Sequence, residues 1–260
     1  QGMVLSNETD AAELSSSEQN SGRSHHELSI QNGGQLSPEA LIAETLQDVL
    51  KRAAQHSTSD GILYIESEDH ETIQSYAELL QDAQCMLAGL RALGLKPHDK
   101  VIFQLDDNRQ FITAFWGCLL GGFVPVPLSM APTYRESNSV IDKLCHAWQL
   151  LEQPVIVTSA RLAPDLETLP QRVAMDGLHL AKVEQLLQST PDGQWHPSQP
   201  DDLALLLLTS GSTGQPKAVM HSHRSLLSHC AGDGAYTQFS ESDVTLNWFP
   251  LDHVGGIVMF

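Results

Sequence analysis

Positive charge is scarce in this 260-residue sequence, which has 14 lysines and arginines against 32 aspartates and glutamates, for a formal net charge of −18. A nucleic-acid-binding protein needs clustered cations to neutralise phosphates, and an anionic membrane surface likewise attracts basic segments. The charge balance therefore argues against both partners. It leaves a small phosphorylated ligand open, because such a ligand is bound by a local set of donors rather than by the global field.

Cysteine and long apolar runs are also scarce. No CxxC pair occurs, and we expect buried, reduced thiols at the four scattered cysteines, Cys85, Cys118, Cys145 and Cys230. The sequence contains no secretory hydrophobic segment and no apolar run of about 20 residues that could span a bilayer. These absences predict a cytoplasmic protein without a membrane partner.

The first 37 residues are rich in Ser, Asn, Gln, Glu and Gly and poor in bulky apolar side chains, which predicts a disordered leader. Gln1-Gly2 has the form of a remnant left by a cleaved tag, with Met3 as the native start. Ser37, followed by Pro38, is a typical helix start, and apolar residues then recur at helical spacing up to His56.

Strand-like and helical segments alternate over the rest of the chain, which predicts an α/β protein with layered, mainly parallel β-sheets flanked by helices. A loop-like stretch, 188–200, separates a first α/β subdomain (38–200) from the start of a second (201–260). The chain ends at Phe260 just inside a new helix, so we expect it to be truncated. The predicted strands are 61–65, 101–105, 123–128, 154–158, 204–209, 218–221 and 244–249, and the predicted helices are 38–56, 75–93, 108–120 and 136–151.

The most informative stretch is Leu208–Lys217, LTSGSTGQPK, which leaves a buried strand and enters a loop of small residues. Its glycines permit positive φ and a close approach of backbone N–H groups to an anion. Hydroxyls add further donors, and the lysine adds a mobile positive charge. Such convergence suits a polyphosphate. We therefore predict that it is bound by the donors and glycines of the loop, namely Thr209, Ser210, Gly211, Ser212, Thr213, Gly214 and Lys217.

Two other glycine-loop chemistries do not fit these residues. The stretch is not a GxxxxGK[ST] phosphate loop, because Lys217 follows Pro216 and precedes Ala218. It is also neither a GxSxG nucleophile elbow nor part of an SxxK motif, so a serine nucleophile is poorly supported.

No carboxylate or cysteine completes a zinc-like set around His221, His223 and His229, and no metal site is predicted there.

Leu208–Arg224 resembles the signature phosphate loop of the superfamily of acyl-CoA synthetases, peptide-synthetase adenylation domains and luciferases. Three further blocks follow the family's order: Ser75–Leu79 resembles T-Y-x-E-L, Trp116–Pro127 resembles K-A-G-A-x-x-V-P, and Pro250–Gly256 resembles P-L-x-H-x-x-G. Ala218 departs from the pattern, where glycine is commoner. The resemblance covers residues 38–260 and implies the incomplete amino-terminal part of a large adenylate-forming domain.

The resemblance implies a two-step ligation that uses ATP and Mg²⁺. A carboxylate attacks the α-phosphate, and a thiol of coenzyme A or of a carrier-protein phosphopantetheine then takes the acyl group. Lys217 and His253 would be the catalytic residues, with Lys217 holding the phosphates and His253 bordering the carboxylate and adenylate pocket. The magnesium-binding Glu, the ribose-binding Asp and the second catalytic Lys of the family are expected beyond Phe260, so we expect residues 1–260 alone to be inactive.

The block Pro250–Gly256 differs between family members that activate different classes of acid. Amino-acid-activating relatives carry an F-D-x-S block in which the Asp contacts the amine, a role that Asp252 fits only after a one-residue shift. Pro250, Leu251, His253 and Gly256 all match the acyl-ligase frame instead, which predicts a fatty, aryl or 2-oxo acid without an α-amine. Asp252 remains open as a solvated loop acid.

Three interpretations of the whole protein follow. Val126–Tyr134, VPLSMAPTY, is similar to loading modules of hybrid peptide–polyketide synthases and to fatty acyl-AMP ligases, which implies a carrier-protein partner. A free-standing acyl-CoA synthetase has the same residues in this half. A non-catalytic nucleotide-binding or docking module is the alternative of another class.

Trp116, Trp148 and Trp248 lie on apolar faces and are expected in the core.

Overall fold

Helices and strands alternate along the chain in a computed structural model, which describes residues 43–56, 60–210, 216–240 and 242–258. All of these residues belong to one compact unit, residues 36–260. The strands are β1 (Gly61–Ser67), β2 (His70–Ser75), β3 (Lys100–Gln104), β4 (Val124–Pro127), β5 (Ile156–Thr158), β6 (Leu180–Lys182), β7 (Leu203–Ser210) and β8 (Pro216–Ser222). The helices are α1 (Leu46–His56), α2 (Tyr76–Ala92), α3 (Asn108–Gly121), α4 (Ser139–Leu150), α5 (Ala163–Leu166), α6 (Val183–Leu186), α7 (His223–Thr237) and α8 (Val254–Ile257).

The central sheet has four parallel strands in the order β4-β3-β5-β6. Ile102 of β3 lies between Val126 of β4 and Ile156 of β5, and all three side chains are buried. Strands covered on both faces read as continuous apolar runs, which is the pattern that the sequence shows. The prediction of an α/β fold with a mainly parallel sheet is confirmed.

Each face of this sheet has its own core. Phe103 and Val157 point to the side of α2 and α3, where Leu87 and Cys118 are fully buried. Their neighbours in the strands point to the side of α4, where Trp148 is 1% exposed. Because successive strand residues face opposite sides, each strand contributes to both cores.

The ends of α2 and α3 carry the signals that their sequence predicts. The Ser75 hydroxyl accepts a hydrogen bond from the N–H of Glu78, and the Glu78 carboxylate accepts one from the N–H of Ser75, forming a capping box. At the end of α3, Gly122 has φ 67°, and a Cβ there would lie 2.3 Å from the ring of His196. Only glycine fits both the dihedral angle and the contact.

An antiparallel hairpin, β1–β2, stands apart from the central sheet. The sequence predicts β1, but not β2, whose residues HETIQS contain one aliphatic side chain. Pairing with β1 forms this strand, and on the inner face the Tyr64 hydroxyl donates to Oε1 of buried Gln74 at 2.8 Å. Tertiary pairing thus overrides a weak local β-propensity.

A second antiparallel hairpin, β7–β8, places β7 against β4 of the central sheet. Ala204, Leu205 and Leu207 of β7 form a third core with Leu46 of α1 and Leu226 of α7. Predicted strands 204–209 and 218–221 are confirmed with slightly wider bounds. The division into subdomains 38–200 and 201–260 stays a prediction.

The predicted helix over 38–56 is wrong in its start, because residues 43–45 are not helical and α1 begins at Leu46. Thr45 immediately precedes the helix. Its N–H donates to the Asp48 carboxylate at 3.0 Å, and its hydroxyl accepts from the Asp48 N–H at 3.4 Å. This reciprocal pair acts as a cap. Ser37 and Pro38 lie outside the described residues, as does the whole predicted leader.

The predicted strand over 244–249 is also wrong. Val244, Leu246 and Trp248 are 96%, 69% and 74% exposed, and the segment pairs with no strand in the described part of the chain. A β-strand forms only where a neighbouring strand supplies ladder hydrogen bonds to its backbone groups. Here the Asn247 side chain bonds the backbone instead, accepting from the N–H of Phe249 at 2.9 Å. The core position expected for Trp248 is therefore incorrect, whereas that of Trp148 is confirmed.

Cysteine burial follows the prediction only in part. Cys118 is buried within α3, and this burial raises the pKa of its thiol. Cys85 and Cys145 are half-buried, and Cys230 on α7 is exposed, so the expectation of burial is wrong for Cys230.

Among the described helices, none combines the length and apolar character that crossing a bilayer requires.

Candidate functional site

The β7–β8 hairpin brings together two of the residues predicted to bind phosphate. Thr209 and Lys217 are Cα partners across the ladder, and the Thr209 hydroxyl donates to the Lys217 carbonyl at 3.4 Å. Both residues are exposed. Gly211, Ser212, Thr213 and Gly214 lie outside the described residues, and so does the side chain of Ser210, so their predicted roles stay predictions.

The strand before the loop is a firm support. Leu205, Leu206 and Leu207 of β7 are at most 6% exposed, whereas Lys217 and Met220 of β8 lie on the exposed strand. Because β7 is buried up to its last residues, it holds the Thr209 hydroxyl at the edge of a rigid scaffold. The Lys217 side chain adds a mobile ammonium at that edge. This arrangement can hold an anion with several oxygens, such as a polyphosphate.

His253 lies in a separate turn, immediately before α8. It is exposed, and its Nδ1 accepts a hydrogen bond from the N–H of Gly255 at 3.1 Å. The neutral imidazole that makes this bond carries its proton on Nε2. Within the described part of the chain, His253 makes no hydrogen bond or ion pair with Thr209 or Lys217. Its predicted catalytic role therefore stays a prediction.

The P-L-x-H-x-x-G block has a structural explanation at both ends. A Cβ on Gly256 would lie 2.2 Å from the Pro250 carbonyl oxygen, so only glycine allows the turn to close. Asn247 braces the same turn by donating from Nδ2 to the Gly256 carbonyl at 2.9 Å. Leu251 and Ile257 pack against the core on the α2–α3 side and anchor the turn there. The block thus holds His253 at a defined place on the surface.

Replacing Gly256 with alanine is expected to open this turn, because the new methyl group meets a backbone oxygen that cannot move aside. Overpacking of this kind destabilises by about 1–3 kcal/mol. Faster amide exchange at Gly255 and Ile257 would report the change. The matched control is Gly232→Ala in α7, where a Cβ would meet nothing within 4 Å. Equal exchange in both variants would contradict the close contact.

The histidines around the end of β8 do not lie as the sequence suggests. A strand would place His221 and His223 on one face, but His223 is the first residue of α7 and is 2% exposed. Its Nδ1 accepts a hydrogen bond from the N–H of Leu46 at 3.1 Å. Burial lowers the pKa of His223, against a smaller opposing effect of Asp202 and Asp48. Nothing in the spacing of the sequence signals this contact, since it joins residues 177 positions apart.

Residues that could ligate a metal do not converge around these histidines. Burial, and then the nearby charge of His229, lowers the pKa of His221. Among the described residues, no group of three or more His, Cys, Asp or Glu side chains is arranged to hold a metal ion. Asn247 is the site residue that sequence reasoning missed. Its position before P-L-x-H is the only local signal.

Comparison with curated proteins identifies relatives of known class. The chain is 35% identical over 211 residues to microperfuranone synthase of Emericella nidulans, which covers 77% of this chain and 22% of the relative. It is 29% identical over 222 residues to a Paxillus involutus protein named inactive atromentin synthetase invA3, covering 82% of this chain and 22% of the relative. The chain therefore spans less than a quarter of the length of these relatives.

Solved structures show the same fold. The adenylation domain of a keto acid-selecting NRPS module bound to keto acyl adenylate is 49% identical, with a TM-score of 0.82, covering 88% of this chain and 40% of that chain. McyG A-PCP complexed with phenylalanyl-adenylate is 42% identical, with a TM-score of 0.79, covering 83% of this chain and 34% of that chain. Residues 50–260 match the AMP-binding enzyme family. The chain accordingly belongs to the AMP-binding, adenylate-forming ligases and corresponds to the amino-terminal portion of their adenylation domain.

Proposed function

We propose that the protein activates a 2-oxo acid with ATP as an acyl-adenylate and passes the acyl group to the phosphopantetheine thiol of a carrier protein. Activation of an acid as an adenylate follows from the family. The observation that carries the assignment to this site is the β7–β8 hairpin, which holds Thr209 and Lys217 together at the ends of the phosphate loop. The loop residues Ser210 to Gly214 are proposed to complete the set of donors.

The chemistry asks for positioning more than for a protein nucleophile. A carboxylate oxygen of the acid attacks the α-phosphorus, the bond from that phosphorus to the β-bridging oxygen breaks, and pyrophosphate leaves with the electron pair. We assign to the Lys217 ammonium and the Thr209 hydroxyl the binding of the β and γ phosphates, where they would offset the charge that develops. A thiolate then attacks the acyl carbon, and AMP leaves. Mg²⁺, when bound with ATP, supplies further charge neutralisation.

Two observations support an acid without an α-amine. The keto acid-selecting adenylation domain is 49% identical to this chain, and the P-L-x-H-x-x-G turn holds His253, not an acid, at the motif position. The McyG structure, which contains phenylalanyl-adenylate and is 42% identical, points the other way. Asp252 is half-buried beside His253 and would be the carboxylate available to an amine.

Pyrophosphate exchange with matched acids separates these possibilities. A complete adenylation domain that carries this chain is supplied with phenylpyruvate, phenylalanine and 3-phenylpropionate, and with the corresponding set built on the valine side chain. We expect exchange with a 2-oxo acid to exceed that with its amino acid by at least about tenfold, which corresponds to about 1.4 kcal/mol. Preference for an amino acid would overturn the assignment of the substrate class.

The acceptor is tested by the second step. A carrier protein bearing phosphopantetheine is expected to receive the acyl group, whereas coenzyme A in its place should yield little thioester. Rapid formation of acyl-coenzyme A would favour the free-standing synthetase instead. A cytoplasmic location belongs to the same proposal, because a phosphopantetheine thiol has to stay reduced to accept the acyl group.

The alternative of another class is a non-catalytic module. It is favoured by one observation, the relative named as an inactive synthetase, which is 29% identical to this chain. This alternative predicts that ATP binds the complete domain but that no acid in a broad panel stimulates pyrophosphate exchange. The panel described above decides between the two.

A further inference from the structure

His223 lies where three elements meet. It is the first residue of α7 and directly follows Ser222, the last residue of β8. Its backbone N–H donates to the Asp202 carbonyl at 3.2 Å, just before β7 begins. Its side chain reaches α1, where Nδ1 accepts from the Leu46 N–H at 3.1 Å. The residue therefore ties α1 to both strands of the phosphate hairpin at the end away from the loop.

The bond to Leu46 satisfies a group that the helix itself cannot satisfy. The first N–H groups of an α-helix have no intrahelical partner. At the start of α1 the Thr45–Asp48 pair serves the amides of those two residues, and His223 serves the amide of Leu46 between them. Since both Leu46 and His223 are less than 10% exposed, water is a poor substitute for this bond.

The surrounding contacts make the junction stiff. Leu46 packs in the third core with Leu205 of β7 and Leu226 of α7. Next to His223, the Arg224 N–H donates to the Pro200 carbonyl at 2.8 Å, and its guanidinium makes a bidentate pair with Asp201 at 2.7 and 3.0 Å. We therefore expect a displacement of α1 at this point to disturb the first pairs of the β7–β8 ladder.

We infer that His223 is a positioning residue for ATP binding, whose neutral side chain locks the amino-terminal end of α1 to the root of the hairpin that carries Thr209 and Lys217. The inference rests on the proposed function only where it concerns ATP. The lock, by which we mean the hydrogen bond from the Leu46 N–H to Nδ1 of His223, is a property of this chain and does not depend on ATP. It requires the tautomer with the proton on Nε2, because Nδ1 has to accept.

Protonation should open the lock, because Nδ1–H and the Leu46 N–H would then face each other as two donors. The charged groups that face the imidazole are Asp48 on α1 and Asp202 before β7, and both favour the protonated form. Burial outweighs them and keeps the pKa of His223 below its ordinary value of 6.5. Its contribution to stability is therefore complete above about pH 6.5 and is lost as the pH falls through the lowered pKa.

Amide exchange on this chain tests the lock directly. In His223→Leu we expect the Leu46 amide to exchange up to about tenfold faster, the ratio that one net hydrogen bond allows. In His223→Asn the side-chain oxygen can occupy the place of Nδ1, so protection of Leu46 should return. The control is His229→Leu, at an exposed histidine on the same helix. Unchanged Leu46 exchange in His223→Leu would overturn the lock.

Kinetics test the positioning. In a complete adenylation domain, His223→Leu should raise KM for ATP several-fold, about threefold to tenfold, with little change in KM for the acid, and His223→Asn should restore it. Faster Leu46 exchange with an unchanged KM for ATP would overturn the positioning role and leave the proposed function intact. If the unaltered domain catalyses no exchange, the proposed function fails. ATP binding to the same variants by calorimetry then decides the positioning role.

Discussion

Replacing Lys217 with alanine is expected to lower ATP–pyrophosphate exchange by a complete adenylation domain about 10²–10³-fold, the usual effect of removing one donor aimed at developing charge. Lys217 is exposed at the start of β8 and pairs with Thr209 across the mouth of the phosphate loop. Its ammonium has no structural task among the described contacts of the hairpin. The fold should therefore survive the change while the rate falls.

The comparison that isolates this charge uses two further variants. Lys143→Ala removes an exposed lysine on α4, which is not part of the phosphate hairpin. This variant should leave exchange within about twofold of the unaltered enzyme. Lys217→Arg keeps the charge but not the compact geometry, and should recover part of the rate. Unchanged exchange in Lys217→Ala would remove this lysine from the proposed catalytic set.

Replacing Trp148 with alanine should have the largest effect on stability, a loss of about 3–5 kcal/mol in the free energy of unfolding. The indole is 1% exposed in the core between the central sheet and α4, and its Nε1–H donates to the Pro154 carbonyl at 3.0 Å. The change creates a cavity and also leaves that carbonyl without its donor. Urea unfolding followed by far-ultraviolet circular dichroism measures the loss.

Trp248 supplies the matched control for this measurement. It is 74% exposed and stacks on Phe249 with ring centroids 4.2 Å apart. Trp248→Ala should change the free energy of unfolding by at most about 0.5–1.5 kcal/mol, the range for an aromatic pair. Equal losses in the two variants would contradict the burial that distinguishes them.

Local signals made much of the fold predictable. Helix α2 begins at a Ser-x-x-Glu capping box and ends before Gly94, whose φ is 92°, and both marks are visible in the sequence. Strands β3 and β5 are short apolar runs between helical stretches, a pattern that also indicates their parallel pairing. The phosphate loop was identifiable from its residue types alone, because donors, glycines and a lysine within ten residues suit little else.

The errors arose where a segment's state depends on distant partners. β2 has one aliphatic residue and exists because β1 lies beside it, whereas 244–249 alternates apolar and polar residues but has no partner strand among the described residues. The predicted start of α1 is too early, because Ser37-Pro38 is a stronger sequence signal for a helix start than Thr45, which forms a cap with Asp48. Propensity is a short-range quantity, and pairing overrides it.

The sequence by itself determined the family, the α/β class and the residue types at the phosphate loop, because each depends on neighbours within a few positions along the chain. Only the tertiary structure decided that His223 leaves the strand and caps α1, that Asn247 and Pro250 enclose Gly256, and that Thr209 faces Lys217. The physical reason is that hydrogen bonds and close packing join atoms by distance in space. The bond from Leu46 to His223 spans 177 residues and has no trace in local spacing.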